Sequence, residues 1–248
     1  MSLSDDELAR YARQIVLPAF GGQGQQRLSA ASVGVVGAGG IGSAVIPVLA
    51  GAGIGRLTIV DGDTVDLSNL HRQPIFRTNQ QGASKARCAA DFVQALNPHV
   101  AVHAVAERIT PANAAATLVS HDLILDGTDN FATRLLVSDT AVALGIPLLS
   151  AAAVQFQGQV GLFRARPCYR CFVGDAFDTD DCDTCAENGV LGATTAAVGG
   201  FAALLAIRAL ARVGEDPAGG LHLFDGMTGA WRRISLPADP QCRVCGAS

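Results

Sequence analysis

The strongest constraint on this chain is one short stretch, Val35-Val36-Gly37-Ala38-Gly39-Gly40-Ile41-Gly42, in which an apolar run breaks into a glycine-rich turn and restarts as an apolar helix. Glycines at 37, 39, 40 and 42 permit a tight turn, and they let backbone N–H groups approach a phosphate at the positive end of the helix that follows. A second apolar run, Leu57–Val60, ends at Asp61, 19 residues after Gly42. An acid at that distance hydrogen-bonds a ribose hydroxyl in nucleotide-binding folds. The stretch therefore predicts a strand feeding a helix and a bound nucleotide, without separating NAD from ATP.

The rest of the chain repeats the alternation. The first thirty residues read as helical, and Ser32–Gly37 as a buried strand. Gly40–Ala52 is then a helix with a kink at Pro47. Lys85–Leu96 is a helix stopped at Asn97-Pro98, and Thr133–Leu144 another. Val100–Val105, Asp122–Leu125 and Pro147–Ala152 read as strands. This order implies right-handed crossovers and a mostly parallel sheet covered on both faces. Gln159–Phe163, Leu221–Phe224 and Arg232–Leu236 read as later strands, antiparallel in character. Cys168–Thr184 reads as a polar loop without regular structure, and a loop of that length is usually functional or mobile.

Composition agrees. At 248 residues the chain has room for one large α/β domain, or one domain with an extension. It is 49% hydrophobic but only 5% aromatic, so Ala, Val, Leu and Gly must do the packing. With a net charge of -4 and no Lys/Arg block, nucleic acid is not an expected partner. The polar, acidic start Met1–Glu7 is no secretory signal, so a cytoplasmic location and reduced cysteines are expected. Gly189–Ile207 is long enough to span a bilayer. Its Ala, Gly and Thr content and the Arg208 that follows favour a buried core helix, and no membrane is expected.

Two groups of residues carry the chemistry. Asn69, Arg72 and Gln73 lie together, Lys85 opens a helix, and Asp126 and Asp129 end a strand. Two cations and a carboxylate beside a glycine turn suit a triphosphate with Mg2+ better than a nicotinamide. The second group is cysteine: Cys168/Cys171, Cys182/Cys185 and Cys242/Cys245 make six of the seven cysteines. Two Cys-x-x-Cys pairs far apart are the usual spacing of a four-thiolate zinc site, which leaves a third pair over. Cys88 and Trp231 read as packing residues. The five histidines show no metal spacing and read as surface or structural groups.

Taken in order, Arg10-Tyr11-x-Arg13-Gln14, the glycine turn, Asp61-Gly62-Asp63-x-Val65, Ser68-Asn69-Leu70-x-Arg72-Gln73, Lys85, Asp126-x-Thr128-Asp129-Asn130, Cys168-Tyr169-Arg170-Cys171 and Cys242-x-x-Cys245 resemble the MoeB/ThiF family of adenylyltransferases, bacterial relatives of ubiquitin-activating enzymes. The pattern is nearest to the molybdopterin-synthase branch and runs from about Asp5 to Gly246. The resemblance implies a Rossmann-like, doubly wound α/β fold, a mostly parallel sheet with antiparallel C-terminal strands and a four-cysteine zinc site. Residues 1–248 would form one adenylation domain. Its nucleotide-binding part would cover about 30–155, and its carrier-binding and zinc part about 156–248.

The activity it implies is ATP-dependent adenylation of the C-terminal glycine carboxylate of a ubiquitin-like sulfur carrier ending in Gly-Gly, for molybdopterin or thiamine-type sulfur transfer. By the same resemblance Gly40 contacts nucleotide and Asp61 holds the ribose. Asn69, Arg72 and Lys85 contact phosphates, and Asp129 holds Mg2+. Gly37, Gly39, Gly42, Asp63, Gln73 and Asn130 complete the implied ATP contacts. Arg13 would reach across a homodimer interface into the partner's site, and Cys168, Cys171, Cys242 and Cys245 would hold Zn2+. Cys185 matches a position that forms a covalent carrier link in some members. No rhodanese-like extension follows Cys245, so a separate sulfur donor is expected.

Two departures stand out. Cys182 makes an extra pair with Cys185; it could be a resolving thiol, a substitute zinc ligand, or neither. Gly192-Ala193 stands where a proline is expected near the start of a crossover helix. Two competing readings, a nicotinamide dehydrogenase with a zinc lobe and a non-catalytic zinc scaffold, predict NAD binding and partner binding without pyrophosphate release, respectively.

Overall fold

The computed structural model describes residues 3–174 and 189–246. Its centre is one sheet of eight strands in the order β3-β2-β1-β4-β5-β6-β7-β8. These are β1 Ser32–Val36, β2 Arg56–Val60, β3 Ala101–Val105, β4 Leu123–Asp126, β5 Leu148–Val154, β6 Gln157–Phe163, β7 Gly220–Asp225 and β8 Ala230–Ser235. The first five run parallel, and β6 to β8 form an antiparallel meander on one side. The expected doubly wound sheet with antiparallel C-terminal strands is what the chain forms. Chain order reverses between β1 and β4, and the crevice beyond their carboxyl ends is where such sheets bind ligands.

The described helices are α1 Asp5–Ile15, α2 Gly21–Ala30, α3 Gly40–Gly51, α4 Lys85–Leu96, α5 Ala114–Leu118, α6 Phe131–Leu144, α7 Tyr169–Val173 and α8 Gly192–Ala211. Period-two alternation along the central strands divides the core into two clusters, one per face. Val33 and Val35 of β1, Leu123 and Leu125 of β4 and Leu149 of β5 join the larger cluster, with α3, α4 and α8. Val36, Ile124 and Leu148 point the other way, into a smaller cluster with Leu135 and Ala141 of α6 and Tyr169 of α7.

The element boundaries differ from the sequence reading for local reasons. The first thirty residues form two helices, because Leu17-Pro18 interrupts the hydrogen-bond ladder. Helix α6 starts at Phe131, two residues early, since Asn130 caps it by accepting from the Thr133 N–H at 2.8 Å. The loop expected over Cys168–Thr184 begins instead as helix α7, a single turn held by burial of Tyr169 and Arg170. The rest of that segment, Cys182 and Cys185 included, lies outside the described residues. Helix α8 is the one described helix long and apolar enough to cross a membrane. Its Thr194, Val198, Ala202, Ala203, Leu205 and Ala206 are buried, which makes it the core helix its composition suggested.

Helix α1 is tied to the body through a small polar network. Tyr11 is buried against Gly53, and the Asn97 amide donates to the Tyr11 hydroxyl at 2.8 Å and to the Ala50 carbonyl at 2.7 Å. Asn97 has no exposure to solvent. Asn97→Ala leaves both acceptors buried without their donor, and should cost about 1–3 kcal/mol. Urea unfolding at a fixed chain concentration measures it; an unchanged midpoint would show that the network does not hold α1.

Candidate functional site

The switch point carries a cleft of about 520 Å³, walled by the glycine turn, the ends of β2 and β4, and the segment after β3. Gly37 has φ +91°, and a Cβ at Gly42 would stand 2.2 Å from the Gly37 carbonyl oxygen. No side chain fits at either position without opening the turn, so the N-terminus of α3 faces the cleft as bare backbone. Asp61 braces this arrangement. Its Oδ2 accepts from the Ala38 N–H and its Oδ1 from the Asp63 N–H, both at 2.8 Å. Burial pushes the Asp61 carboxyl up, against the pull of those two N–H donors. A buried carboxylate of this kind gains from further hydroxyl donors, such as a ribose offers.

The expected cations flank the turn. Lys85 opens α4, is 6% exposed, and has Nζ 3.5 Å from Asp63 Oδ2. The Asn69 side-chain oxygen accepts from Arg72 Nη2 at 3.0 Å and from Gln73 Nε2 at 3.1 Å, so one amide aims two cleft-lining groups. Gln73 Oε1 is buried without a hydrogen-bond partner. On the far wall Asp126 is committed to structure: it accepts from the Thr128 N–H and hydroxyl and from the Ser150 hydroxyl. Asp129 lines the cleft, and no hydrogen bond or ion pair holds its carboxylate among the described residues. Asn130 lines the cleft too, with its side-chain oxygen engaged in capping α6.

Arg108, Arg134 and Thr195 are among the cleft-lining residues that the sequence reading did not single out. Arg108 sits 3.0 Å from Asp63 Oδ1 because the parallel register Val60↔Val105 sets the chain after β3 beside the chain after β2. Nothing local announces that. Arg134 follows Asn130 by one helical turn, a spacing that could have flagged it. It is 5% exposed and donates to the Thr128 and Ala151 carbonyls. Thr195 packs against Gly40 from the start of α8. The missing proline also has a local reason, since a Cβ at Gly192 would stand 2.3 Å from the His71 carbonyl oxygen.

Arg13 is not in the cleft. Within its motif, Arg10 donates to the Leu96 carbonyl, Tyr11 is buried, and Gln14 donates to the Ala52 carbonyl, while Arg13 is exposed. The four cysteines Cys168, Cys171, Cys242 and Cys245 do come together, with all sulfurs within 4.8 Å of one another. The shortest separations are 3.3 Å for Cys171–Cys245 and 3.6 Å for Cys168–Cys242. Tetrahedral thiolates about 2.3 Å from a metal stand about 3.8 Å apart, so the donor set fits one ion.

A second groove of about 620 Å³ runs along β6 and β7 and opens onto the cleft. The two share Asp129, Arg134, Ala152 and Ala153 as a common wall. A cleft at the switch point of an α/β sheet, with a groove that meets it at Asp129, offers room for a nucleotide and for a second ligand beside it.

The chain belongs to the ThiF family, which matches residues 11–244, and it is an adenylyltransferase. It is 44% identical to a sulfur carrier protein adenylyltransferase of Thermus thermophilus, over 99% of this chain and 93% of that one. It is 39% identical to the molybdopterin-synthase adenylyltransferase of Escherichia coli, over 98% of both chains. An adenylyltransferase and sulfurtransferase of Anopheles gambiae is 42% identical, over 98% of this chain but 56% of that protein. Among solved structures, Escherichia coli MccB with MccA-N7isoASN superposes with a TM-score of 0.85 at 20% identity, over 99% of this chain and 76% of that one, a likeness of fold. These relatives favour adenylyl transfer over the dehydrogenase and scaffold readings.

Because Asn69 aims both Arg72 and Gln73, Asn69→Ala should weaken ATP binding by about tenfold, the equivalent of one lost charge-assisted hydrogen bond. Calorimetric titration of the isolated protein measures this, and wild-type affinity would dismiss Asn69 as the organiser of that wall.

Proposed function

We propose that this adenylyltransferase uses MgATP to activate the C-terminal glycine carboxylate of a ubiquitin-like sulfur carrier ending in Gly-Gly, releasing pyrophosphate, in the cytoplasm and for molybdopterin or thiamine-type sulfur transfer. The observation that carries the reading is the shared wall: the groove along β6 and β7 meets the nucleotide cleft at Asp129 and Arg134. An extended tail laid in that groove ends beside the phosphates. The names of the Thermus thermophilus and Escherichia coli relatives support the same substrate class.

The chemistry asks little of general acid–base groups. A C-terminal carboxylate has a pKa of about 3.3–3.7 and is ionised at neutral pH. Its oxygen attacks the α-phosphorus, the bond to the bridging oxygen breaks, and pyrophosphate leaves as the acyl adenylate forms. The protein's work is alignment and charge neutralisation. Lys85 and Arg72 stand beside the turn as the cations for the phosphates. Asp61 receives ribose hydroxyls, and the amides at the start of α3 face the anion. Asp129, with a carboxylate free to take a ligand among the described residues, would hold Mg2+. That ion would offset charge on the leaving pyrophosphate. Cys168, Cys171, Cys242 and Cys245 would hold Zn2+, whose part is to fasten residues 242–246 to α7.

The nucleotide-binding part would span about 30–155 and the carrier-binding and zinc part about 156–248. Cys185 would act, where it acts at all, in a later transfer that draws sulfur from a separate donor. Carrier-dependent ATP–pyrophosphate exchange, run with candidate carriers ending in Gly-Gly, tests the whole reading. Asp129→Ala should abolish exchange while leaving the unfolding midpoint unchanged; normal exchange in that variant would remove Asp129 from the metal role.

Arg13 points the same reading toward a homodimer. Arg10 and Gln14 donate to carbonyls of their own protomer, while the exposed Arg13 guanidinium has no such partner among the described residues. If it completes the partner's cleft, Arg13→Ala and Lys85→Ala chains are each inactive, yet a mixed dimer contains one intact site. Random mixing should then restore roughly a quarter of wild-type activity per chain. Absence of any recovery after verified subunit exchange would place Arg13 elsewhere.

A further inference from the structure

Helix α6 serves two places at once. Its first turn belongs to the cleft, where Asp129 precedes the Asn130 cap and Arg134 ties the turn to the Thr128 and Ala151 carbonyls. Its second half meets the cysteine-bearing turn α7 through Asp139. Arg170, which lies between the clustered Cys168 and Cys171, forks onto Asp139 of α6, with Nε 2.8 and 3.0 Å from the two carboxylate oxygens and Nη2 2.8 Å from Oδ2. The Arg170 side chain is 6% exposed and that of Asp139 32%.

The joint around this pair is apolar and close-packed. Leu135 and Ala141 of α6 share one buried cluster with Tyr169 and Phe163. The Tyr169 ring meets Phe163 edge-on, with centroids 5.5 Å apart. Between Asp139 and Asn130 runs an unbroken helix about 13 Å long. Burying a guanidinium costs solvation, and the two-pronged fit to Asp139 helps to offset that cost. What the pair does secure is the angle between the cysteine-bearing turn and the helix that begins at Asp129.

We propose that Asp139 and Arg170 are positioning residues that couple metal occupancy of the four-cysteine cluster to MgATP occupancy of the cleft. The proposal rests on the metal and nucleotide reading above. With an ion seated, the spacing of Cys168 and Cys171 fixes α7 and so the direction of the Arg170 fork. The fork holds α6, and α6 holds the turn that presents Asp129. Such coupling is reciprocal, so MgATP must tighten the metal by the same factor that the metal tightens MgATP.

The test uses the full chain loaded with zinc. Apparent zinc affinity is measured by chelator competition with and without MgATP, and MgATP binding is followed calorimetrically in the same samples. In the wild type, MgATP should raise zinc affinity about fivefold or more. In D139N the two affinities should be equal. Should loss of one charge alone unfold the protein, the double variant D139L/R170M replaces both charges with apolar groups, and the same loss of coupling is expected. Wild-type coupling retained in either variant would overturn the proposal, because a merely structural pair could lower both affinities without uncoupling them. A wild type that binds MgATP without any gain in zinc affinity sinks this inference and leaves the adenylation reading standing. A wild type that binds no MgATP sinks both.

Discussion

The site depends on one carboxylate that joins two strand ends. Asp61, at the end of β2, accepts from the backbone of Ala38 in the glycine turn and from Asp63 in its own loop. Without this brace, the turn after β1 is a run of glycines with little of its own to hold it. With it, the first amides of α3 stay directed at the crevice, and Asp63 stays where it meets Lys85 and Arg108. Burial raises the proton affinity of Asp61, so the brace is costly in the empty protein. That cost falls at a place where a ligand's hydroxyls can offset it, as strained or poorly solvated groups at binding sites commonly do.

The opposite wall is organised by a helix instead of a turn. Helix α6 places Asp129, Asn130 and Arg134 at the boundary between the cleft and the groove along β6 and β7. The same helix meets the cysteine-bearing turn through Asp139. The antiparallel strands and the sulfur cluster thus adjoin the parallel part of the sheet at helix α6. That arrangement suits an enzyme whose second substrate is a protein tail. In the proposed reading the strands would supply a groove for the tail, and the shared wall would set where it ends.

Much of this was legible in the sequence because it is local. A buried parallel strand reads as an unbroken apolar run, and glycines where a Cβ would strike a carbonyl are forced choices. A Cys-x-x-Cys pair already spans the reach of one metal ion. The strands β1 to β5, the turn, Asp61, Lys85 and the four cysteines follow from such rules, and the ordered motifs named the family. The short helix α7 was missed because five residues make no helix by propensity. Burial of Tyr169 and the Arg170–Asp139 fork hold it, and both are contacts with distant parts of the chain.

Arg108 and Arg134 show the limit most plainly. Each looks like an ordinary surface cation in sequence, because its function lies in what the fold sets beside it. Arg108 owes its place to the register between β2 and β3, and Arg134 to the carbonyls of a turn and of a strand. The sequence by itself determined the elements, the glycine turn and the paired cysteines, since period, turn chemistry and Cys-x-x-Cys spacing act within a few residues. The tertiary structure decided which charges share a wall, which carboxylate is spent on structure and which is left for a ligand. Those outcomes depend on distances between strand ends and helices, and sequence separation does not encode them.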